Sequence, residues 1–186
     1  MDELQTKNNI LERMAMVDEL TQIANRRYFN LILEQEWTRL LGEAKPLSIV
    51  LADVDCFKLY NDYYGHQQGD ECLYQVSQII GQCLAQSSDL VARYGGEEFI
   101  ILLPNTPLTR AIEIVDKIQK ELHHRHLPHL KSHVTDCITL SLGIASTIPA
   151  LSLTPNQLIS TADQALYLAK QSGRNQYQVG ELPSLH

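Results

Sequence analysis

The sequence has no apolar run approaching the roughly 20 residues that a helix needs to cross a bilayer. No signal peptide is evident, so no membrane span is expected in this chain and a cytoplasmic location is. Positive charge is scarce: 15 Lys and Arg stand against 22 Asp and Glu, for a net charge of −7 and a pI of about 5.4. That balance argues against broad binding to nucleic acid. An anionic ligand must instead be held by a few local cations, metal ions or backbone N–H groups. The four cysteines, Cys56, Cys72, Cys83 and Cys137, are scattered and form no CxxC pair. No disulfide framework is expected; they read as small buried hydrophobes in a reducing cytosol. Internal repeats and low-complexity tracts are absent as well.

What remains is ordinary for a soluble globular protein. Hydrophobic residues make up 44% and charged residues 20% of 186 positions, enough for one domain with a full core and a short extension. The informative stretch is Arg93-Tyr94-Gly95-Gly96-Glu97-Glu98-Phe99. Leu90-Val91-Ala92 leads in and Phe99 to Leu103 leads out, two short apolar runs that read as strands. Two glycines between them mark a tight hairpin, since glycine takes positive φ without steric cost. Two carboxylates follow the turn directly, which suits a divalent cation held beside phosphates.

Elsewhere the pattern alternates between helix and strand. Ile10, Met14 and Val17 form a short helical seam, the end of a longer helix or a dimer contact. Asp18 to Asn25 breaks it. Arg26 to Leu41 is helical through Phe29, Ile32, Leu33, Trp37 and Leu40, with Gly42 and Pro46 ending the helix. Leu47 to Ala52 is a strand buried on both faces, stopping at Asp53-Val54-Asp55. Asn61 to Gly69 reads as a polar turn region and Asp70 to Leu84 as a helix. Thr109 to Leu122 is another helix, and His123 to His133 a connecting stretch with five histidines. Cys137 opens an apolar strand within Asp136 to Ala145. Pro155 to Gln171 is a helix stopped by Gly173, and Tyr177 to Val179 a last short strand. One hairpin among mixed elements implies an antiparallel or mixed sheet carrying helices.

Asp53 lies where a buried strand leaves the core. If that strand neighbours the hairpin, Asp53 and Glu97 converge, and a cation between them relieves their repulsion; the bland reading is two independent solvated acids. Lys170 and Arg174, four apart at a helix end, fit either phosphate contacts on one face or macrodipole partners. Lys58 is a third candidate for phosphate. Asn61 and Asp70 carry the groups to read a guanine edge, although Asp70 also suits a helix N-cap. The cluster His123, His124, His126, His129 and His133 invites a metal hypothesis, but it fits no zinc spacing and lacks a cysteine partner, so the stretch reads as a solvated loop. Tyr60, Tyr63 and Tyr64 could stack on a base or simply pack.

In order, these segments resemble the GGDEF domain of diguanylate cyclases, from Asp18 to Val179. The resemblance rests on Asp18-Glu19-Leu20-Thr21 with Asn25-Arg26-Arg27, and on Ala52-Asp53-Val54-Asp55-Cys56-Phe57-Lys58. It continues through Asn61-Asp62-Tyr63-Tyr64-Gly65-His66, the Gly95-Gly96-Glu97-Glu98-Phe99 form of the signature, and Ser141-Leu142-Gly143-Ile144-Ala145. Ala162-Asp163 through Ala169-Lys170 and Gly173-Arg174-Asn175 close it. Gln22 departs from the usual glycine, at a turn rather than in the chemistry.

The resemblance implies an α/β (α+β) fold, a central mostly antiparallel sheet flanked by helices in a ferredoxin-like, nucleotidyl-cyclase-like palm. Residues 1–17 would be a signalling or linker helix, 18–180 the catalytic domain and 181–186 a tail. The implied activity joins two GTP into cyclic di-GMP with release of two pyrophosphates, in a homodimer answering to an upstream sensory domain. Asp53, Glu97 and the Val54 carbonyl would hold Mg²⁺ or Mn²⁺, with Glu98 assisting. Lys58 would stabilise phosphate charge, and Glu97 is also a candidate for deprotonating the 3′-hydroxyl. Asn61, Asp70 and His66 would hold the nucleotide, and Lys170 and Arg174 its triphosphate. In the inhibitory product motif Arg-x-x-Asp, Gln86 replaces the arginine while Asp89 remains, which implies weak product inhibition. The alternatives are a non-catalytic GTP- or cyclic di-GMP-binding relay or dimerisation module, and an adenylyl-type cyclase that the Asn61 and Asp70 pair argues against.

Overall fold

The apolar run after Pro46 becomes the centre of the sheet because it has strand partners on both edges and helices on both faces. In a computed structural model, which describes residues 16–182, the elements follow in this order. They are β1 (Ala24–Asn25), α1 (Arg26–Glu43), β2 (Leu47–Val54), α2 (Phe57–Tyr64), α3 (His66–Cys83), β3 (Leu90–Gly95), β4 (Glu98–Pro104), α4 (Leu108–Arg125), β5 (Leu140–Thr147), α5 (Pro155–Gln171) and β6 (Tyr177–Val179). The sheet order is β1-β3-β4-β2-β5-β6. β2 runs antiparallel to both β4 and β5, and β3 antiparallel to β4, while the edge strands β1 and β6 pair in parallel. The expected palm is therefore present: β2 to β5 with their helices form a β-α-β-β-α-β unit, with a parallel strand added at each edge.

Every β2 residue is buried, and alternate side chains enter two cores. Val50, Ala52 and Val54 meet α2, α3 and α4 through residues such as Phe57, Val76 and Ile118. Leu47, Ile49 and Leu51 meet α1 and α5 through Phe29, Leu40, Leu158 and Leu166. Fully burying a side chain of this size contributes about 1.5–3 kcal/mol. No helix among the described residues is long and apolar enough to cross a membrane.

Several boundaries differ from the sequence expectation. α1 runs through Gly42 and stops at Ala44, in the left-handed region at φ 50°, whose N–H donates to the Leu40 carbonyl. Asn61 to Gly69 is not a turn region: it is the end of α2 and the start of α3, broken at Gly65. α4 continues to Arg125 and takes in His123 and His124. Asp136 to Thr139 precede β5, with Cys137 in an isolated bridge to Pro128. β1 was not anticipated, being too short for a pattern. α5 and β6 have the expected bounds. The proposed helix over residues 1–17 lies almost wholly outside the described residues; Val17 bridges Ala24. Residues 183–186 of the tail are also outside them.

Candidate active site

β2 and β4 are neighbours, so the convergence that Asp53 and Glu97 required is met. Asp53 pairs in register with Glu98, and the Val54 N–H donates to the Glu97 carbonyl at 3.3 Å. Three carboxylates thus surround one end of the sheet. Lys170, in the last turn of α5, brings its ammonium to 2.8 Å from Asp53 Oδ2. Burial pushes the Asp53 carboxyl up to about 6; the Lys170 hydrogen bond and charge pull it down, while Glu97 and Glu98 add to the rise. Lys170 therefore compensates only part of the negative charge. An oxygen-rich donor set with uncompensated charge suits a hard divalent cation, and Asp53, Glu97 and the Val54 carbonyl are the groups that could hold one.

The hairpin is braced from behind. Gly96 takes the turn at φ 55°, and a register shift lies between Arg93 and Gly95. Arg93 Nε donates to the Gly96 carbonyl at 2.9 Å, and its terminal nitrogen lies 3.4 Å from both Asp18 oxygens. Asp18 also accepts from the Thr21 N–H at 2.9 Å and hydroxyl at 2.7 Å. Burial raises its pKa, but these hydrogen bonds and the Arg93 charge outweigh that and hold it below the usual carboxylate value. Gln22, in the same turn, is left-handed at φ 59°, which explains why a glycine is the usual residue there.

Beside the hairpin an open cleft is lined by Lys58, Asn61, His66, Asp70, Arg93 and Glu97, among others. It brings both guanine candidates to the same wall as a metal candidate. Asp70 is not an N-cap, since α3 begins at His66 and Asp70 sits in its second turn. Its carboxylate is exposed on the helix surface. Asn61 lies under Gly69, where a Cβ would collide with its Oδ1. That oxygen is buried and has no protein hydrogen-bond partner, an acceptor left unused beside the cleft.

Lys170 and Arg174 do not share a helical face. α5 ends at Gln171, and Arg174 is left-handed at φ 65° in the turn beyond Gly173. That turn is tied to the site by Asp55, which is 2% exposed. Asp55 accepts from the Ser141 hydroxyl at 2.6 Å, the Thr139 hydroxyl at 2.7 Å and the Asn175 N–H at 3.0 Å. The sequence alone points to no role for Asp55 or Arg93. Both act through distant partners, and the only signal was their place inside the quoted motifs.

The remaining candidates resolve more simply. Asp89 Oδ2 accepts from the N–H groups of Ala85 at 3.1 Å and Gln86 at 2.9 Å, while Gln86 Nε2 donates to Thr106 Oγ1 at 3.3 Å. Tyr60 packs on Tyr64 with ring centroids 4.5 Å apart and edge-on to His129 at 5.2 Å. His129 is fully buried, with Nε2 at 3.1 Å from the Cys56 carbonyl, so the histidine stretch is only partly solvated. All four cysteines are free, and burial pushes the Cys72 thiol up to about 12.

The profile of the family described as "Diguanylate cyclase, GGDEF domain" matches residues 15–176. Diguanylate cyclase A of Treponema denticola is 37% identical over 171 residues, covering 90% of this chain and 45% of that protein. Diguanylate cyclase DgcM of Escherichia coli K12 is 38% identical over 165 residues, covering 89% of this chain and 38% of that protein. The chain thus spans less than half the length of these curated relatives. Among solved structures, the coiled coil and GGDEF domain of DgcB from Caulobacter crescentus, in complex with c-di-GMP, aligns with a TM-score of 0.86 at 30% identity. That alignment covers 95% of this chain and 92% of that one. The active GGEEF domain of a diguanylate cyclase from Vibrio cholerae aligns with a TM-score of 0.75 at 31% identity, covering 87% and 100%.

Proposed function

The chain belongs to the GGDEF domain family of diguanylate cyclases, and from that membership we propose that it condenses two GTP into cyclic di-GMP and two pyrophosphates. The observation that carries the reading is the shared position of Glu97. It lines the cleft of Asn61 and Asp70, and its backbone is bonded to the strand end that holds Asp53 and Val54. A nucleotide read at its guanine edge in that cleft would extend its phosphates toward the carboxylates.

Asp53, Glu97 and the Val54 carbonyl would hold Mg²⁺ or Mn²⁺, which when bound neutralises phosphate charge and acidifies the attacking 3′-hydroxyl. Asp70 accepts from guanine N1–H and the exocyclic amine, Asn61 completes the edge, and His66 flanks the nucleotide. Lys58 offsets charge on the phosphates, with Lys170 and Arg174 at the triphosphate tail. Glu98 supports the same site, and Glu97 is the group nearest in kind to a proton acceptor. The 3′-oxygen of one GTP attacks the α-phosphorus of the other, pyrophosphate leaves, and the reciprocal attack closes the ring. The product's two-fold symmetry calls for two domains facing each other, each holding one GTP. Dimer geometry would then set the rate, and a sensory domain upstream could control it.

The test is incubation of the purified chain with GTP and Mg²⁺, with products separated by chromatography and Glu97→Gln as control. Cyclic di-GMP formed by the parent and lost in the variant supports the reading. GTP binding without turnover in a demonstrably dimeric sample would favour a relay module, and turnover of ATP alone another cyclase.

Two smaller predictions arise here. Gly69→Ala should raise KM for GTP at least about tenfold and lower the melting temperature. The helix-propensity gain is about 1 kcal/mol, whereas overpacking costs about 1–3 kcal/mol, and the Cβ meets Asn61, which cannot retreat without leaving the cleft. Unchanged KM would count against Asn61 as a guanine contact. Separately, cyclic di-GMP should inhibit weakly through the Gln86 to Asp89 turn, since no guanidinium stands there to bind phosphate or guanine. Calorimetric binding at submicromolar strength that disappears in Asp89→Ala would overturn this.

A further inference from the structure

We propose that His126, Asp136 and Cys137 form a site for a thiophilic divalent cation of the Zn²⁺ kind, separate from the carboxylate site. Their ligand atoms lie within 4.8 Å of one another, the one such group of three among the described residues. A tetrahedral zinc shell needs neighbouring ligand atoms about 3.5 Å apart, a closure that side-chain rotation supplies. A neutral imidazole and a thiolate are donor types that such an ion selects over Mg²⁺, and a carboxylate serves as a further zinc ligand.

The backbone brings the three together and holds them. His126 caps α4 in the left-handed region at φ 45°, its N–H shared between the carbonyls of Leu122 and His123. The chain then doubles back in a short antiparallel pairing, with Ile138 N donating to the Leu127 carbonyl and His129 N to the Asp136 carbonyl, both at 2.8 Å. That pairing sets Cys137 opposite Pro128, two residues from His126. Thr135 Oγ1 accepts from the Cys137 N–H at 3.2 Å and donates to the Cys137 carbonyl at 3.1 Å, which fixes the cysteine backbone beside its outer partner, the sulfur lying 3.3 Å away. The cysteine is buried while the histidine and aspartate are exposed, so the sulfur is protected and the ion has an entry path. A cavity opens beside Asp136 and Cys137, where water can complete the tetrahedral shell. This cavity and the nucleotide cleft have no lining residue in common.

Cobalt reports the site without reference to catalysis. The full chain, reduced and stripped of metal with EDTA, is titrated with Co²⁺, and the thiolate-to-cobalt charge-transfer band is followed in the near ultraviolet. One equivalent should develop the band and Zn²⁺ should bleach it. His126→Ala and Asp136→Asn should weaken Co²⁺ binding at least tenfold, and Cys137→Ser should remove the band. Cys56 is the control, because its sulfur lies 3.6 Å from His133 Nδ1 and makes the other cysteine–histidine pair. Cys56→Ser should leave the band unchanged. His126 is exposed, so its variant keeps the test sound even if Cys137→Ser fails to fold. No band at saturating Co²⁺, a band surviving His126→Ala at full strength, or a band lost in Cys56→Ser would each overturn the proposal.

Discussion

Replacing Asp53 with Asn should lower cyclic di-GMP formation about a thousandfold and, in metal-free buffer near neutral pH, make the domain more stable. Asp53 is 8% exposed and its carboxyl is raised from 3.8 to about 6, burial being the largest cause. The folded state therefore binds a proton more tightly than the unfolded chain does. The stability this confers is fully present below the unfolded pKa and is lost as pH rises through about 6. A rise of that size corresponds to roughly 3 kcal/mol. For a domain of this size that is a melting-temperature difference of about 5–10 °C.

In EDTA, then, the parent should lose stability between pH 4 and pH 7 relative to Asp53→Asn, whose neutral amide does not titrate. Mg²⁺ at pH 7 should restore the parent and do little for the variant. The cost of breaking the pair to Lys170 is small, because the Lys170 side chain is 33% exposed and water can solvate it. The measurement is thermal unfolding of both proteins across pH, with and without Mg²⁺, beside a turnover assay. An Asn variant that keeps full turnover, or melts no higher than the parent at pH 7 in EDTA, would sink the argument.

Asp53 was legible because a long apolar run ended on it, and the hairpin because two glycines stood between two such runs. Those signals come from the core, where burial forces periodicity. The differences that bear on the site fall where side chains face a cleft instead. Asn61 to Gly69 looks like a turn because its residues are polar, yet they are polar on helices α2 and α3 whose exposed sides line the cleft. A helix that started at Asp70 would make it a cap; because α3 starts at His66, Asp70 lies in its second turn. Arg174 was misplaced for a related reason: a spacing of four implies a shared face only if the helix continues, and Gly173 ends it. Asp55 and Arg93 depend on Ser141, Thr139, Asn175 and Asp18, partners that no local spacing reveals. Cys137 meets His126 through the same kind of long connection.

Asp70 yields the second large effect, and inosine triphosphate isolates it. Inosine keeps N1–H but lacks the exocyclic amine, so it forfeits one of the two charge-assisted bonds expected at Asp70. Each such bond contributes about 1.5–3 kcal/mol, so the parent should prefer GTP over ITP by about 10–100-fold in kcat/KM. Asp70→Ala removes both bonds from GTP, and kcat/KM should fall about 10²–10⁴-fold. ITP should lose less, so that the preference for GTP shrinks toward unity. The carboxylate is exposed on α3, and a surface change of this kind shifts stability by only about 0.5 kcal/mol. A large kinetic effect with an unmoved melting temperature therefore separates recognition from folding. A variant that keeps the parent's preference for GTP over ITP would place guanine recognition elsewhere in the cleft. A melting temperature that falls in step with activity would make Asp70 a structural residue. The comparison also bears on Asn61, which would complete the same edge: with its amide N–H donating to O6, an atom both bases carry, the loss in Asn61→Ala should be shared by GTP and ITP.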